Sequence, residues 1–235
     1  MHEPDSPQAN ALLAALPMAA YRRLLPDLQA QPLEVGEQLF RPNGQLQFAY
    51  FPTTSIVTLS YAVEDNGTMA KAWPVGREGV VGISLFMGGP KQDNSADVQI
   101  GGLAYRLPAA SLLTEFRRGG AFQQLLLRYV FALVTQASQI GVCSSHHSMD
   151  QRLCRFLVRL FDRVSASNVV ITHERIATLL GVRRTSITLA AAKLQKAGII
   201  EYSRGRIRVI DQKKLEQRSC ACAGIIRRAF EAVSV

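Results

Sequence analysis

No cysteine precedes Cys143, and His2 is the only histidine before His146. The N-terminal half also shows no Ser/His/Asp set, no paired carboxylates and no glycine-rich phosphate loop. An enzyme built on that half is therefore the remote reading, and no catalytic residue is assigned. No run of 18 apolar residues occurs, so no membrane-spanning helix is expected. The opening MHEPDSPQAN is acidic and polar and does not read as a signal peptide. A cytoplasmic protein without membrane attachment is expected, and the chain shows neither an internal repeat nor a low-complexity segment.

What is present is a sizeable core and a lopsided charge. Hydrophobic residues make up 48% of the 235, enough for one large or two modest domains. Residues 151–235 carry 17 Lys and Arg against 6 Asp and Glu, while residues 1–150 carry 10 against 12. The basic excess sits wholly in the C-terminal part, as in a polyanion-binding module joined to a neutral partner domain. The four cysteines, Cys143, Cys154, Cys220 and Cys222, also lie late in the chain. A secreted disulfide framework does not suit a chain of this length. Cys220 and Cys222 fall in an expected helix, where residues two apart point about 200° apart and cannot share a metal. His146 and His147 have no third ligand spaced near them. Free thiols, no metal site and no cofactor are therefore expected.

Residues 9–28 suggest two short helices interrupted by Pro17 and closed by Pro26. Short strand-like runs follow at 32–35, 38–40, 48–51, 55–63, 69–75, 79–83, 97–100 and 103–107. Turn signals separate them, among them Asn66-Gly67. Strands at this rhythm imply an antiparallel barrel or sandwich. After a short helix over 111–117 and a break at Gly119-Gly120, a long helix is expected over about 121–141. Its seam of Phe122, Leu126, Tyr129, Leu133, Gln136 and Ile140 has heptad spacing, and Leu127, Val130, Val134 and Ala137 form a second stripe. A helix apolar on two faces must bury both, one on the barrel and one on a second subunit. The heptad seam is assigned to the dimer interface. Residues 144–147 read as a polar joint, and Ser148–Gln151 as a capping box that opens a helix over 152–163.

Residues 172–200 carry the most demanding pattern. Thr172 is a plausible N-cap with Glu174 in the first turn. Ile176, Ala177 and Leu180 share one face, Gly181 ends the first helix, and Ile187, Ala190, Ala191 and Leu194 form the buried face of a second. This is the spacing of a helix-turn-helix. The outward side offers Arg183, Arg184, Thr185, Ser186, Thr188, Leu189 and Lys193 to a DNA groove, with Thr172 and His173 at the start of the first helix. Ile199–Ser203 and Arg206–Ile210 then read as a hairpin with Arg204 and Arg206 at its basic tip, which makes the unit a winged helix. Asp211 is expected to cap one final helix running to about Phe230.

The order of barrel, seam helix, capped helix, helix-turn-helix and wing resembles the Crp/Fnr family of bacterial transcription regulators. The resemblance is most specific in residues 148–210, in Tyr50-Phe51-Pro52-Thr53-Thr54 and in Val75-Gly76-Arg77-Glu78-Gly79-Val80-Val81-Gly82. It implies an α+β fold with an N-terminal antiparallel β-roll (cyclic-nucleotide-binding-like), a long dimerisation helix and a C-terminal winged helix-turn-helix. The implied domains are a sensor over 1–118, the dimerisation helix and hinge over 119–145, and the DNA-binding domain over 146–235. The implied function is sequence-specific transcription regulation by a homodimer on a two-fold symmetric promoter site. The implied partners are double-stranded DNA, a second copy of the chain, RNA polymerase and an unidentified small-molecule effector.

The departures from that family bear on the signal. Members that bind cyclic AMP carry a Glu for the ribose and an Arg for the phosphate. The matching segments here are Gly82-Ile83-Ser84-Leu85 and Asp93-Asn94-Ser95-Ala96, so Ile83 and Asn94 stand in those places. The ligand-binding candidates are Gly82, Ile83, Ser84, Leu85, Asn94 and Ser95, with a signal other than cyclic AMP. The N-terminal cysteines of the oxygen-sensing branch are missing. A thiol- or metal-responsive regulator that uses its cysteines is the alternative.

Overall fold

The computed structural model describes residues 6–62, 69–88, 94–164 and 168–234. The expected Asn66-Gly67 turn, His2 and Asp93 lie outside them. The chain forms two compact units, residues 1–132 with 230–235, and residues 133–229.

The first unit opens with helices α1 (Ala11–Ala14) and α2 (Met18–Leu24), divided at Pro17 as expected. Asn10 is fully buried, and its side-chain oxygen accepts from the Leu12 and Leu13 amides. The same side chain donates to the carbonyls of Pro52 and Gly79, each at 2.9 Å. One amide side chain thus caps a helix and ties it to both segments on which the N-terminal resemblance rests.

Seven strands follow: β1 (Gln29–Leu33), β2 (Gln38–Phe40), β3 (Phe48–Pro52), β4 (Ile56–Ala62), β5 (Met69–Val75), β6 (Asn94–Ile100) and β7 (Gly102–Pro108), with helix α3 (Ser84–Met87) before β6. They make two antiparallel sheets, ordered β1-β7-β3 and β2-β6-β4-β5. Alternating inward residues of both sheets meet in one apolar cluster that includes Leu33, Tyr50, Val57, Val75, Val98 and Ala104. The run 79–83, expected as a strand, is irregular chain with a single bridge from Val81 to Tyr50. Gly82 at φ +105° and the start of α3 end the extended chain there. Helix α4 (Ala109–Arg117) closes the roll. Its buried Glu115 pairs with Arg23 of α2, whose hydrogen bond holds the carboxyl below the usual range.

Helix α5 (Ala121–His146) starts after two positive-φ glycines, Gly119 and Gly120, and runs a full turn beyond the expected end. Ser144, Ser145 and His146 are helical, with Ser144 and Ser145 hydroxyls donating to the Ile140 and Gly141 carbonyls. Those bonds inside the helix let a polar run continue it. This is the one described helix long and apolar enough to cross a membrane, with a mean hydropathy of 1.3 over its most apolar 18 residues, 33% of which are buried within the protein.

The stripe assigned to the dimer interface is largely covered within the single chain. Phe122, Leu126, Tyr129, Leu133 and Gln136 are buried within the single chain, and Ile140 is half-buried. Tyr129 donates to the Val80 carbonyl, and the Gln136 side-chain oxygen accepts from Arg163 at 2.9 Å. Most of this stripe is thus covered by the chain itself. Exposed apolar surface lies on another face, at Leu127 (47%), Phe131 (72%), Val134 (57%) and Val142 (49%). A heptad seam reports that a helix is buried along one line and does not say against what.

The second unit continues through α6 (Met149–Arg163), opened by the expected capping box of Ser148 and Gln151. Strand β8 (Asn168–Val170) precedes α7 (His173–Leu180), α8 (Arg184–Lys196), β9 (Ile200–Ser203) and β10 (Arg206–Val209). β8 completes a three-stranded antiparallel sheet ordered β8-β10-β9. A three-residue strand carries too little pattern to be read beforehand. The expected single C-terminal helix is two, α9 (Gln212–Arg218) and α10 (Cys222–Glu231). Asp211 caps α9 by accepting from Lys214, and Ser219 leaves the helical conformation at ψ 159°. Residues 230–235 join the first unit, where Phe230 packs edge-on against Tyr129 with ring centroids 6.0 Å apart.

Candidate nucleic-acid interface

The helix-turn-helix is built as its spacing predicts. Thr172 N-caps α7 by accepting from the Arg175 amide, and Gly181 ends it at φ +63°. Ile176, Ala177, Leu180, Ile187, Ala190, Ala191 and Leu194 are all buried, so α7 and α8 cross over a shared apolar seam. That seam fixes which side of α8 faces outward. Arg183, Arg184, Thr185, Thr188, Leu189 and Lys193 are exposed there and Ser186 is half-buried, with Leu189 at 66%. The first turn of α8 contains no acidic residue, so its free amides and two arginines form one electropositive end.

The candidates differ in what they already hold. Thr188 donates to the Arg184 carbonyl at 3.1 Å and faces His173 Nδ1 at 3.1 Å. Lys193 is paired with Asp150 at the start of α6 at 3.0 Å, an exposed pair that phosphate can replace at little cost. Thr172 spends its oxygen on the cap. Arg183, Arg184, Thr185 and Leu189 project without such duties and are the freest to meet a groove.

The wing is a hairpin whose two turn residues, Arg204 at φ +49° and Gly205 at φ +76°, suit a tight primed turn. Arg206 is exposed beside them. Tyr202, which sequence reading left out, locks wing to helices: His173 stacks on its ring, and its amide donates to the Gln195 side chain at 3.2 Å. His173, Thr188, Ala191, Gln195, Lys196 and Tyr202 line an open cleft of about 390 Å³ between α8 and the wing. An aromatic residue in a hairpin next to a His at a helix start is a weak signal, visible only once the register of β9 is known.

Of the ligand-binding candidates, Gly82 and Ile83 lead into α3, and Asn94 and Ser95 are buried in β6. Ser95 and Ser60 both hydrogen-bond the Asp97 carboxylate, at 3.2 and 3.4 Å. Where a cyclic nucleotide's phosphate would need a cation, the described residues of this segment present an anion.

Metal-ligand side chains do gather elsewhere. Cys143, His147, Cys220 and Cys222 each offer a ligand atom, all within 4.8 Å of one another. The expectation of no metal site assumed an unbroken helix through 220–222. The break between α9 and α10 removes that premise.

Residues 151–218 match the family of Crp-like helix-turn-helix domains. No curated protein sequence matches the chain. Solved structures share its fold. A transcriptional regulator assigned to the Crp/Fnr family from Eubacterium rectale is 19% identical, with a TM-score of 0.64 over 92% of this chain and 99% of that one. FixK2 from Bradyrhizobium japonicum is 16% identical, with a TM-score of 0.69 over 83% and 98%. A Crp/Fnr-family transcriptional regulator from Thermus thermophilus is 18% identical, with a TM-score of 0.63 over 81% and 98%. The chain thus has the α+β fold of Crp/Fnr-type regulators and carries a Crp-like helix-turn-helix domain.

Proposed function

We propose that this chain is a sequence-specific DNA-binding transcription regulator of Crp/Fnr type, acting as a homodimer on a two-fold symmetric promoter site. The observation that carries the reading is the outward face of α8. Its Arg184, Thr185 and Leu189 are exposed, with the basic wing alongside, in the part of the chain with the whole positive excess. Residues 1–118 serve as sensor, 119–145 as dimerisation helix and 146–235 as DNA-binding domain, and RNA polymerase is the partner at the promoter. The exposed apolar stripe of α5 supplies the dimer contact. The sensor's signal is a small molecule or partner other than cyclic AMP.

Selection of bound duplexes from a random pool tests this. A recovered motif with two-fold symmetry and half-sites about one helical turn apart is the expected result. Recovery of unrelated sequences, bound with equal affinity, overturns it. A metal- or thiol-responsive regulator is the second reading, favoured by the convergence of Cys143, His147, Cys220 and Cys222.

A further inference from the structure

Three cysteines and a histidine meet at one point in the second unit. Cys143 lies in the last turn of α5, and the His147 amide donates to its carbonyl at 3.1 Å. Four residues of helical rise place their side chains on the same face. Cys220 lies between α9 and α10, and Cys222 is the first residue of α10. Because the helix is broken there, two cysteines two apart point the same way. The three thiols are buried, forming a small core cluster of their own, and His147 is half-buried.

The distances decide what this cluster suits. Cys143 Sγ and Cys220 Sγ are 3.5 Å apart, and Cys222 Sγ and His147 Nδ1 are 3.7 Å apart. With zinc–sulfur bonds of about 2.3 Å and zinc–nitrogen bonds of about 2.0–2.1 Å, the edges of a tetrahedral site are roughly 3.4–3.8 Å. A disulfide needs sulfurs at about 2.05 Å. An iron–sulfur cluster interposes several iron and sulfide atoms between its ligands, too many to fit among four atoms that all lie within 4.8 Å of one another.

We propose that Cys143, His147, Cys220 and Cys222 form a closed Cys₃His site for one zinc ion. Three thiolates and an imidazole select a soft-tolerant divalent ion over calcium or magnesium. Four protein ligands leave no open position, so the ion is structural rather than catalytic. On binding, three S–H bonds give way to three S–Zn bonds and three protons pass to solvent. His147 donates the Nδ1 lone pair and keeps its Nε2 proton, and no electron is transferred. The complex carries a net charge of −1. Arg155, buried at 6% exposure and interacting with Cys143, supplies the matching positive charge, and its Nε has no hydrogen-bond partner among the described residues. The clip joins positions 77 residues apart, enclosing the helix-turn-helix and the wing in one loop. This site does not depend on the DNA-binding reading and can be tested apart from it.

The test is metal analysis of the full chain, purified without a histidine tag, followed by cobalt substitution. One zinc per chain is expected, retained through dialysis, and cobalt in its place should give thiolate charge-transfer absorption and the intense visible bands of a tetrahedral site. Cys143→Ser and Cys222→Ser should abolish stoichiometric zinc, and His147→Ala should speed its loss to a chelator. Cys154→Ser should keep a full complement, because Cys154 lies outside the cluster. Metal-free protein that develops no cobalt bands overturns the site, as does a mass measurement showing a Cys143–Cys220 disulfide. Loss of zinc from Cys154→Ser equal to that from Cys143→Ser overturns the ligand assignment. Should the cysteine variants fail to fold, the cobalt spectrum of the unaltered chain still decides.

Discussion

The imidazole of His173 lies almost flat on the ring of Tyr202, with centroids 4.0 Å apart and planes at 16°. The contact joins the start of α7 to strand β9 and so sets where the wing stands beside α8. Nδ1 faces the Thr188 hydroxyl, and Nε2 is buried without a partner among the described residues. Burial pushes the His173 pKa below its ordinary 6.5, and the nearby Arg184 charge lowers it further. The unfolded chain therefore takes up a proton near pH 6.5 that the folded chain refuses. The stability this provides is complete above that pH and is lost as pH falls from there through the lower folded pKa. His173→Phe keeps a stacking ring without the proton. Urea midpoints at about pH 7.5 and about pH 5.5 should fall less between the two conditions for the variant than for the unaltered chain. An equal fall in both would mean that His173 does not carry the effect.

Gly79 is set by a neighbour rather than by its own backbone. A Cβ there would sit 2.2 Å from the Tyr129 hydroxyl and 2.7 Å from the ring carbon that bears it. Tyr129 is fully buried and cannot swing away. Gly79→Ala should cost about 1–3 kcal/mol, the usual range for overpacking. Tyr129→Phe in the same background removes the clashing oxygen and should recover part of the loss, as read from denaturant midpoints of the two single variants and the double.

The helix-turn-helix was legible because each of its constraints leaves a separate mark. The cap at Thr172, the positive-φ Gly181 and the 3–4 spacing of Ile187, Ala190, Ala191 and Leu194 are all local. Most β-roll strands were legible for the same reason, apart from 32–35, which shares only two residues with β1, and 79–83, an apolar run that makes a single bridge to Tyr50. Two features were hidden. Which face of α5 is buried depends on partners as far away in sequence as Val80 and Arg163. The meeting of His147 with Cys222 spans 75 residues and also needs a helix break that begins only at Ser219. Period and propensity report neither.

Exposure on α5 now separates substitutions in its two apolar stripes. Leu127→Asp with Val134→Asp places charges on surface that is about half-exposed in the single chain. The pair should leave a folded monomer of 25.8 kDa, where the unaltered chain is expected to sediment at twice that mass. Leu133→Asp instead buries an unpaired charge at a position 7% exposed and should unfold the chain. Sedimentation with circular dichroism separates loss of dimer from loss of fold. A Leu127/Val134 variant that stays dimeric would refute this face.

Cyclic AMP should bind weakly or not at all. Ile83 offers no acceptor to a ribose hydroxyl, and Asn94 offers no charge to a phosphate. Ser95 points its hydroxyl at Asp97, so the neighbouring charge is negative. Two missing polar contacts to a charged ligand cost on the order of several kcal/mol. Titration calorimetry giving a micromolar or tighter constant would refute this account of the sensor.

The reading of DNA turns on Arg184 and Arg183, adjacent exposed residues with different places on α8. Arg184 is the first helical residue and Arg183 is its N-cap, with no side-chain capping bond. In cyclic-AMP-type relatives, as the resemblance implies, this helix presents an Arg, a Glu beside it and a second Arg four residues after that Glu. The matching positions here are Arg184, Thr185 and Leu189. Arg184 keeps the fork that can grip O6 and N7 of a guanine. Thr185 is a weaker acceptor towards cytosine than a carboxylate, and Leu189 offers only apolar contact, as with a thymine methyl. One guanine per half-site should therefore be required, without the rest of that branch's half-site. Arg184→Ala should cost roughly 1–3 kcal/mol per half-site and relax the preference at a single base pair. Arg183→Ala should weaken all sequences alike and lower the slope of log affinity against log salt by about 0.9 for each phosphate no longer neutralised. Titrations on the selected duplex and a one-base variant, at two salt concentrations, measure both effects. Equal weakening of the two duplexes by Arg184→Ala would move base reading away from this residue.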